Sequence, residues 1–244
     1  MMSTAAALII GDEILSGKVE ERNLAALIAV LRERGVVLRR VVFVRDDPAE
    51  IAADVRALAE QHDYLFTSGG VGPTHDDRTI GAIADAFGVP VLRHPRLVTL
   101  LKEHLGDRAN DAALRMADVP EGTELCGDGP YPLIKFRNVY ILPGVPQIFA
   151  AKINALAPSL IGKRRALARV FLRVPESVVA ERLGQLERDF DVTVGSYPFL
   201  DRSDYSLMVT IEADCAQEAT RAQQTLLNRL ESRHVVGHEP PADA

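Results

Sequence analysis

The stretch that decides the fold is Thr67-Ser68-Gly69-Gly70-Val71-Gly72-Pro73-Thr74-His75-Asp76-Asp77-Arg78-Thr79. Before it, Tyr64-Leu65-Phe66 is a short apolar segment that predicts a buried strand; after it, Ile80 to Phe87 predicts a helix. Three glycines, a proline and two adjacent carboxylates therefore fill a strand-to-helix connection. Open α/β sheets bind ligands at such places, beyond the carboxyl ends of their strands. Glycine lets backbone approach a ligand closely, and exposed N–H groups leading into a helix N-terminus can hold an anion such as phosphate. Asp76 and Asp77 would repel a bare phosphate, so a divalent cation between them and the phosphate oxygens fits better.

Outward from this loop, strand and helix patterns alternate. Ala5 to Ile10 reads as a first strand, followed by the loop Gly11-Asp12-Glu13-Ile14-Leu15-Ser16-Gly17. Asn23 is placed to cap a helix whose Leu24, Leu27, Ile28 and Leu31 recur at helical spacing, and Gly35 ends it. Val36 to Val44 reads as a second strand, and Asp47-Pro48 as a cap and first helical residue for the helix carrying Ile51, Val55 and Leu58. This β-α-β-α-β-α succession predicts an α/β fold: a three-layer, mostly parallel sheet with helices on both faces. Further on, His94-Pro95 starts a helix, Asp107 to Ala117 predicts another, Leu133 to Phe136 and Val139 to Leu142 predict a strand pair, and Pro143-Gly144-Val145-Pro146 is a compact loop before a helix over 147–156. The pattern changes near residue 165: Ala168 to Arg233 reads β-α-β-β-α, a small α+β module over 166–237, and the polar, proline-containing end, 238–244, predicts a flexible tail.

With 244 residues the chain suits one medium domain plus a small one. Apolar runs fall short of the roughly 18 residues that span a bilayer, and the start lacks a signal-peptide pattern; a cytoplasmic protein without a membrane partner is expected. The net charge of −6 argues against nucleic acid; Arg39-Arg40 and Lys163-Arg164-Arg165 read as solvated surface. Cys126 and Cys215 lack C-x-x-C spacing and read as inert thiols. The sequence has neither a P-loop G-x-x-x-x-G-K-[ST] nor a G-x-S-x-G elbow.

Gly69 to Thr79 matches G-G-x-G-P-T-x-D-D-x-T at every fixed place. It resembles the signature of the molybdopterin-binding, MoaB/MogA-type fold, and more closely that of the N-terminal region of CinA-type (competence/damage-inducible) proteins. Gly11 to Leu15 with Gly17, Asp46-Asp47, and Leu142 to Pro146 resemble further loops of that family, in the same order. The later module resembles the KH-like module of CinA-type proteins, but lacks the G-x-x-G loop of an RNA binder. CinA-type proteins also carry an amidase domain acting on nicotinamide mononucleotide; none is expected here, and a separate amidase chain could supply that activity. Gly129-Pro130-Tyr131-Pro132-Leu133 departs from the family's A-P-G-like segment.

The resemblance implies a site at one end of the sheet. Asp12 or Glu13 would converge there with Asp46, Asp76 and Asp77, a cluster that needs Mg²⁺, Mn²⁺ or Co²⁺ to relieve like-charge repulsion. Asp12, Asp76 and Asp77 are its expected metal ligands, and Asp46 and Asp77 its expected catalytic groups. Gly11, Glu13, Ser68, Gly69, Gly70, Gly72, Thr74, Arg78, Pro143 and Gly144 would line the substrate. Some roles stay open: Asp76 could cap the next helix, His75 could bind metal or face solvent, Arg78 could clamp phosphate or pair with Asp85, and Pro143 to Pro146 could be only a rigid turn. The resemblance implies metal-dependent hydrolysis of a nucleotide pyrophosphate such as ADP-ribose. The alternatives are molybdopterin binding in cofactor biosynthesis and a non-catalytic nucleotide-binding module, in each case in a homo-oligomer with a small nucleotide or pterin as partner.

Overall fold

The computed structural model describes residues 2–127 and 132–243. The chain divides into two compact units, Met1–Gly162 and Lys163–Ala244, a few residues before the boundary expected from sequence.

The first unit runs β1 (Thr4–Ile10), α1 (Asp12–Leu15), α2 (Asn23–Glu33), β2 (Val37–Val44), α3 (Pro48–Gln61), β3 (Tyr64–Ser68), α4 (Thr79–Phe87), β4 (Val91–Arg93), α5 (Pro95–Leu105), α6 (Asp111–Leu114), β5 (Asp118–Pro120), β6 (Glu124–Cys126), β7 (Leu133–Phe136), β8 (Val139–Leu142) and α7 (Pro146–Leu156). Six strands form one sheet in the order β2-β1-β3-β8-β7-β6. The first four are parallel and β7 is antiparallel to both its neighbours, which makes the sheet mixed but mostly parallel. β4 and β5 pair separately.

The two-residue period of β1 builds both cores. Ala5, Ala7 and Ile9 pack with Leu27, Val30 and Leu31 of α2 and Phe149, Ile153 and Leu156 of α7. Ala6, Leu8 and Ile10 pack on the other side with Ile51, Val55 and Leu58 of α3 and Ala82, Ile83 and Ala86 of α4. Burying each of the larger aliphatic side chains contributes roughly 1.5–3 kcal/mol. The helices are punctuated as the sequence suggests: Asp47 accepts from Ala49 N–H (2.9 Å) and Glu50 N–H (3.0 Å) at the start of α3, and Gly88, at φ +66°, ends α4 while Val89 N–H donates back to Ala84 O (3.1 Å).

Two local expectations change. The single helix expected over 107–117 is three short pieces, 3₁₀ turns at Gly106–Arg108 and Arg115–Ala117 around α6, because Asn110 interrupts the run and caps α6 by accepting from Ala113 N–H (2.9 Å). Asn23 does not cap α2. It is the first helical residue, and the Glu21 carboxylate accepts the N–H groups of Asn23 (2.7 Å) and Leu24 (2.9 Å) in its place. The departure noted at Gly129-Pro130-Tyr131 lies outside the described residues.

The second unit runs β9 (Ala166–Leu172), α8 (Glu176–Asp189), β10 (Val192–Pro198), β11 (Leu207–Ala213), α9 (Ala216–Arg229) and β12 (Val235–Asp243). Its antiparallel sheet has the order β10-β11-β9-β12. Ala168, Val170 and Leu172 of β9 and Leu207, Val209 and Ile211 of β11 pack with Val179, Leu183 and Leu186 of α8 and Ala222 and Leu226 of α9. The end of the chain, 238–244, read from sequence as a flexible tail, instead supplies most of β12. Pro240 and Pro241 fall where the register with β9 shifts, between Glu239 and Ala242, on the outer strand of the sheet, where proline's missing N–H is tolerated. Among the described residues no helix is long and apolar enough to cross a membrane.

Candidate functional site

The strand order reverses its direction of growth at β1 and β3, the position where open α/β sheets form a ligand crevice. Beyond the carboxyl ends of β1, β3 and β8 lies a cavity of about 500 Å³. Its walls include Ile10 at the end of β1 and Glu13 after it, Glu20 to Asn23 at the start of α2, Ser68 to Pro73 with Asp77 at the end of β3 and beyond, and Pro143 to Pro146 after β8.

The glycine loop is held by its own residues. The Asp77 carboxylate accepts from Gly72 N–H (2.6 Å), Thr74 N–H (2.8 Å) and the Thr74 hydroxyl (2.6 Å). Thr79, fully buried at the head of α4, closes the loop: its hydroxyl donates to Gly69 O (2.8 Å) and its N–H to Gly70 O (3.0 Å). Gly69 N–H donates to Leu142 O (3.2 Å), fastening the loop to β8. Gly69 has φ +106°, and a Cβ there would run into the carbonyl oxygen of Ile10, so only glycine fits. Of the three glycine N–H groups expected to face a ligand, those of Gly69 and Gly72 are therefore committed. The N–H groups of Gly70 and Val71 have no acceptor among the described residues.

Other expected residues divide between the cavity and its surroundings. Glu13, Ser68, Gly69, Gly70, Gly72, Asp77, Pro143 and Gly144 line the cavity. The Glu13 carboxylate has no hydrogen bond or ion pair among the described residues. Gly11, Asp12, Asp46, Asp76 and Arg78 stand outside the lining. Gly11 N–H donates to Val44 O (3.2 Å). Asp12 N–H donates to Asp46 Oδ2 (2.9 Å), and the Asp12 carboxylate pairs with Arg45 (3.4 Å), which clips the loops after β1 and β2 together. His75, Asp76 and Arg78 are exposed on the loop, and no side chain caps α4, so Asp76 is not its cap. The expected four-carboxylate cluster is not formed: among the described residues no three His, Cys, Asp or Glu side chains lie together as a metal-holding group. Asp46 is satisfied by a backbone N–H, and Asp77 has turned its carboxylate into its own loop.

On the other side of the glycine loop is a second cavity of about 480 Å³, mainly apolar, whose walls include Val71, Thr74, Ile80, Leu97, Met116, Ile134 and Lys152. Lys152 Nζ donates to Pro132 O (2.8 Å), and burial pulls its pKa down to about 8.

One residue of the site was misread from sequence. Asn23 is 5% exposed and its Nδ2 donates to Ser68 Oγ (2.9 Å) and to Gly144 O (2.8 Å), joining three loops that are distant in the chain. An asparagine at a helix start ordinarily signals a cap. What frees it for these bonds, and could have signalled them, is Glu21, an acidic side chain two residues earlier that can take over the capping.

Residues 6–161 match the family described as probable molybdopterin binding domain, and residues 165–239 match the FAD synthase middle domain. A probable FAD synthase of Caenorhabditis elegans is 29% identical over 98% of this chain and 52% of its own length. A CinA-like protein of Syntrophobacter fumaroxidans is 30% identical over 94% of this chain and 58% of its own. The chain thus spans about half the length of these relatives. The crystal structure of the protein CinA of Thermoplasma acidophilum, described as of unknown function, superposes with a TM-score of 0.59 at 30% identity, covering 65% of this chain and 99% of that one. The glycine loop, the crevice at β1 and β3 and these likenesses lead to one assignment: the chain belongs to the molybdopterin-binding-domain family and is CinA-like in its first unit.

Proposed function

We propose that the first unit binds a nucleotide pyrophosphate of the ADP-ribose or FAD kind and hydrolyses its phosphorus–oxygen–phosphorus link with the help of Mg²⁺, Mn²⁺ or Co²⁺. The observation that carries this reading is the pair of unengaged N–H groups, Gly70 and Val71, on the wall of a cavity that also holds Glu13 and Asp77. Such N–H groups are donors for phosphate oxygens. The protein-built metal cage expected from sequence does not fit, but an ion of the Mg²⁺ type needs only one or two carboxylates and completes its shell with water and phosphate. The lone pair that Asp77 Oδ1 keeps beside its bond to Gly72 would hold it, with water and phosphate oxygens completing the shell. When bound, the ion offsets phosphate charge.

Water attacks one phosphorus, the bridging bond breaks, and the leaving phosphate departs with the electron pair; ADP-ribose would give AMP and ribose 5-phosphate, and FAD would give AMP and FMN. Glu13 is the carboxylate in the cavity free to take the proton of the attacking water. Gly70 and Val71 N–H orient the phosphate that is attacked, and Asp77 keeps their loop in shape. The name of the Caenorhabditis elegans relative and the match to the FAD synthase middle domain support an adenylate-containing ligand. A second reading, binding of molybdopterin, is favoured by the family match of the first unit and by the apolar cavity beside the glycine loop.

Purified protein incubated with ADP-ribose or with FAD and each of the three metals is expected to release AMP, detected by chromatography. Release should fall at least about a hundredfold in Glu13→Gln and in Asp77→Ala, the scale of a lost acid–base or positioning group. Absence of AMP with every metal from folded protein rules the hydrolase out and leaves pterin binding as the reading to test, and full turnover in both variants overturns the roles given to Glu13 and Asp77.

A further inference from the structure

Asn23 carries an oddity that the hydrolytic reading does not use. Its side chain is 5% exposed, and its Oδ1 is buried with no hydrogen-bond partner. The amide cannot be turned over to cure this, because Gly144 O accepts a bond and only the NH₂ side of the amide can donate one. The second N–H goes to Ser68 Oγ (2.9 Å). Oδ1 is thus fixed as an acceptor without a donor, on a residue that lines the cavity. Buried acceptors are rarely left unpaired, and each such case asks for an explanation.

The neighbouring groups narrow what the missing donor is. Glu13, on the same cavity, offers a second acceptor. Ser68 accepts from Asn23, which leaves its own O–H proton available as a donor. Two acceptors and one donor suit hydroxyl groups, each of which donates one hydrogen bond and accepts others. A phosphate, all acceptor, suits the Gly70 and Val71 N–H groups and offers no hydrogen to Asn23 Oδ1 or Glu13. From this division we infer that the Asn23–Ser68 end of the cavity is a sugar subsite, in which Asn23 Oδ1 accepts a hydrogen bond from a ribose hydroxyl of the ligand. The inference rests on the nucleotide reading of the site and adds which part of the nucleotide each end takes.

The test is calorimetric titration of the full chain, without added divalent metal so that no turnover occurs, using ADP-ribose and its analogues that each lack one ribose hydroxyl. Wild-type protein is expected to bind one of these analogues about tenfold or more weakly than ADP-ribose, since a site built to pair a hydroxyl rejects a ligand without it. Asn23→Ala should bind ADP-ribose more weakly and no longer distinguish that analogue, whereas Ser68→Ala, which keeps the Asn23 amide, should still distinguish it. If all analogues bind wild type alike, the sugar subsite is refuted even when Asn23→Ala fails to fold, and the nucleotide reading survives. If Asn23→Ala keeps the full preference, Asn23 only braces Ser68 and Gly144, and the subsite is refuted as well. Absence of any ADP-ribose binding by wild type overturns the nucleotide reading and the subsite together.

Discussion

Gly69 and Gly81 carry the same side chain and opposite expectations. Gly69, at φ +106° against the Ile10 carbonyl, has no room for a methyl group; Gly81, within α4, has open space around it. Gly69→Ala should cost about 3 kcal/mol of stability through a disfavoured φ and a displaced loop, while Gly81→Ala should gain up to about 1 kcal/mol from its helix preference; urea unfolding of the two variants against wild type measures both. Lys152 makes a pH-dependent prediction. Its folded pKa is drawn down to about 8 from an ordinary 10.5 by burial. Between those values the unfolded chain holds a proton that the folded chain lacks, so stability rises with pH across that window, and below it the full cost of burying the charge applies. The stability of Lys152→Met relative to wild type should therefore be greatest near pH 7 and decline towards pH 10.5, as urea midpoints at several pH values would show; a constant difference would count against a depressed pKa. At this scale the sequence was legible where a side chain caps the backbone just beyond it, as Asp47 does. It misled where two side chains compete for one role, since Glu21 takes the cap and Asn23 turns into the cavity.

Elements were readable in proportion to the length of their pattern. β1, α2, α3 and α4 carry several repeats of their period, and their bounds fell close to expectation. β4, β5 and β6 have three residues each, too few for alternation to show. β12 was hidden differently, since its prolines and polar residues are the composition of a frayed end. What holds it is tertiary: its pairing with β9, and the buried Gln223 of α9, whose Nε2 donates to Arg169 O (3.0 Å) on β9 and Glu239 O (2.6 Å) on β12. Removing residues 237–244 should destabilise the second unit on the order of 2–4 kcal/mol, at about 0.5–1.5 kcal/mol for each ladder bond lost. It should also leave β9 as an open edge prone to pairing between molecules. Thermal melting and size-exclusion chromatography of the shortened chain test the two consequences; an unchanged melt would show that β12 contributes little.

At the scale of the whole molecule, the hydrophobic side chains of the second unit form a core of their own around β9, β11, α8 and α9. Residues 163–244 expressed alone should therefore melt cooperatively and show mixed helix and sheet by circular dichroism; a broad, non-cooperative melt would contradict an autonomous core. The layered α/β architecture of the first unit could be read from the alternation of elements, because short-range patterns determine layers. The cavity could be read only in part, because its lining depends on which loops the sheet order brings together. The same long reach has a bearing on synthesis at the ribosome. Asn23 is joined to Ser68 across 45 positions and to Gly144 across 121, and β8 must slot in beside β3 before that second bond can form. While the chain is being made, β1, β2 and β3 can already pair, but the glycine loop after β3 waits, half-walled, until Gly144 has left the exit tunnel. Between the emergence of Gly69 and that of Gly144 the nascent protein presents an open crevice, and any ligand that engages it early would meet only part of its eventual contacts.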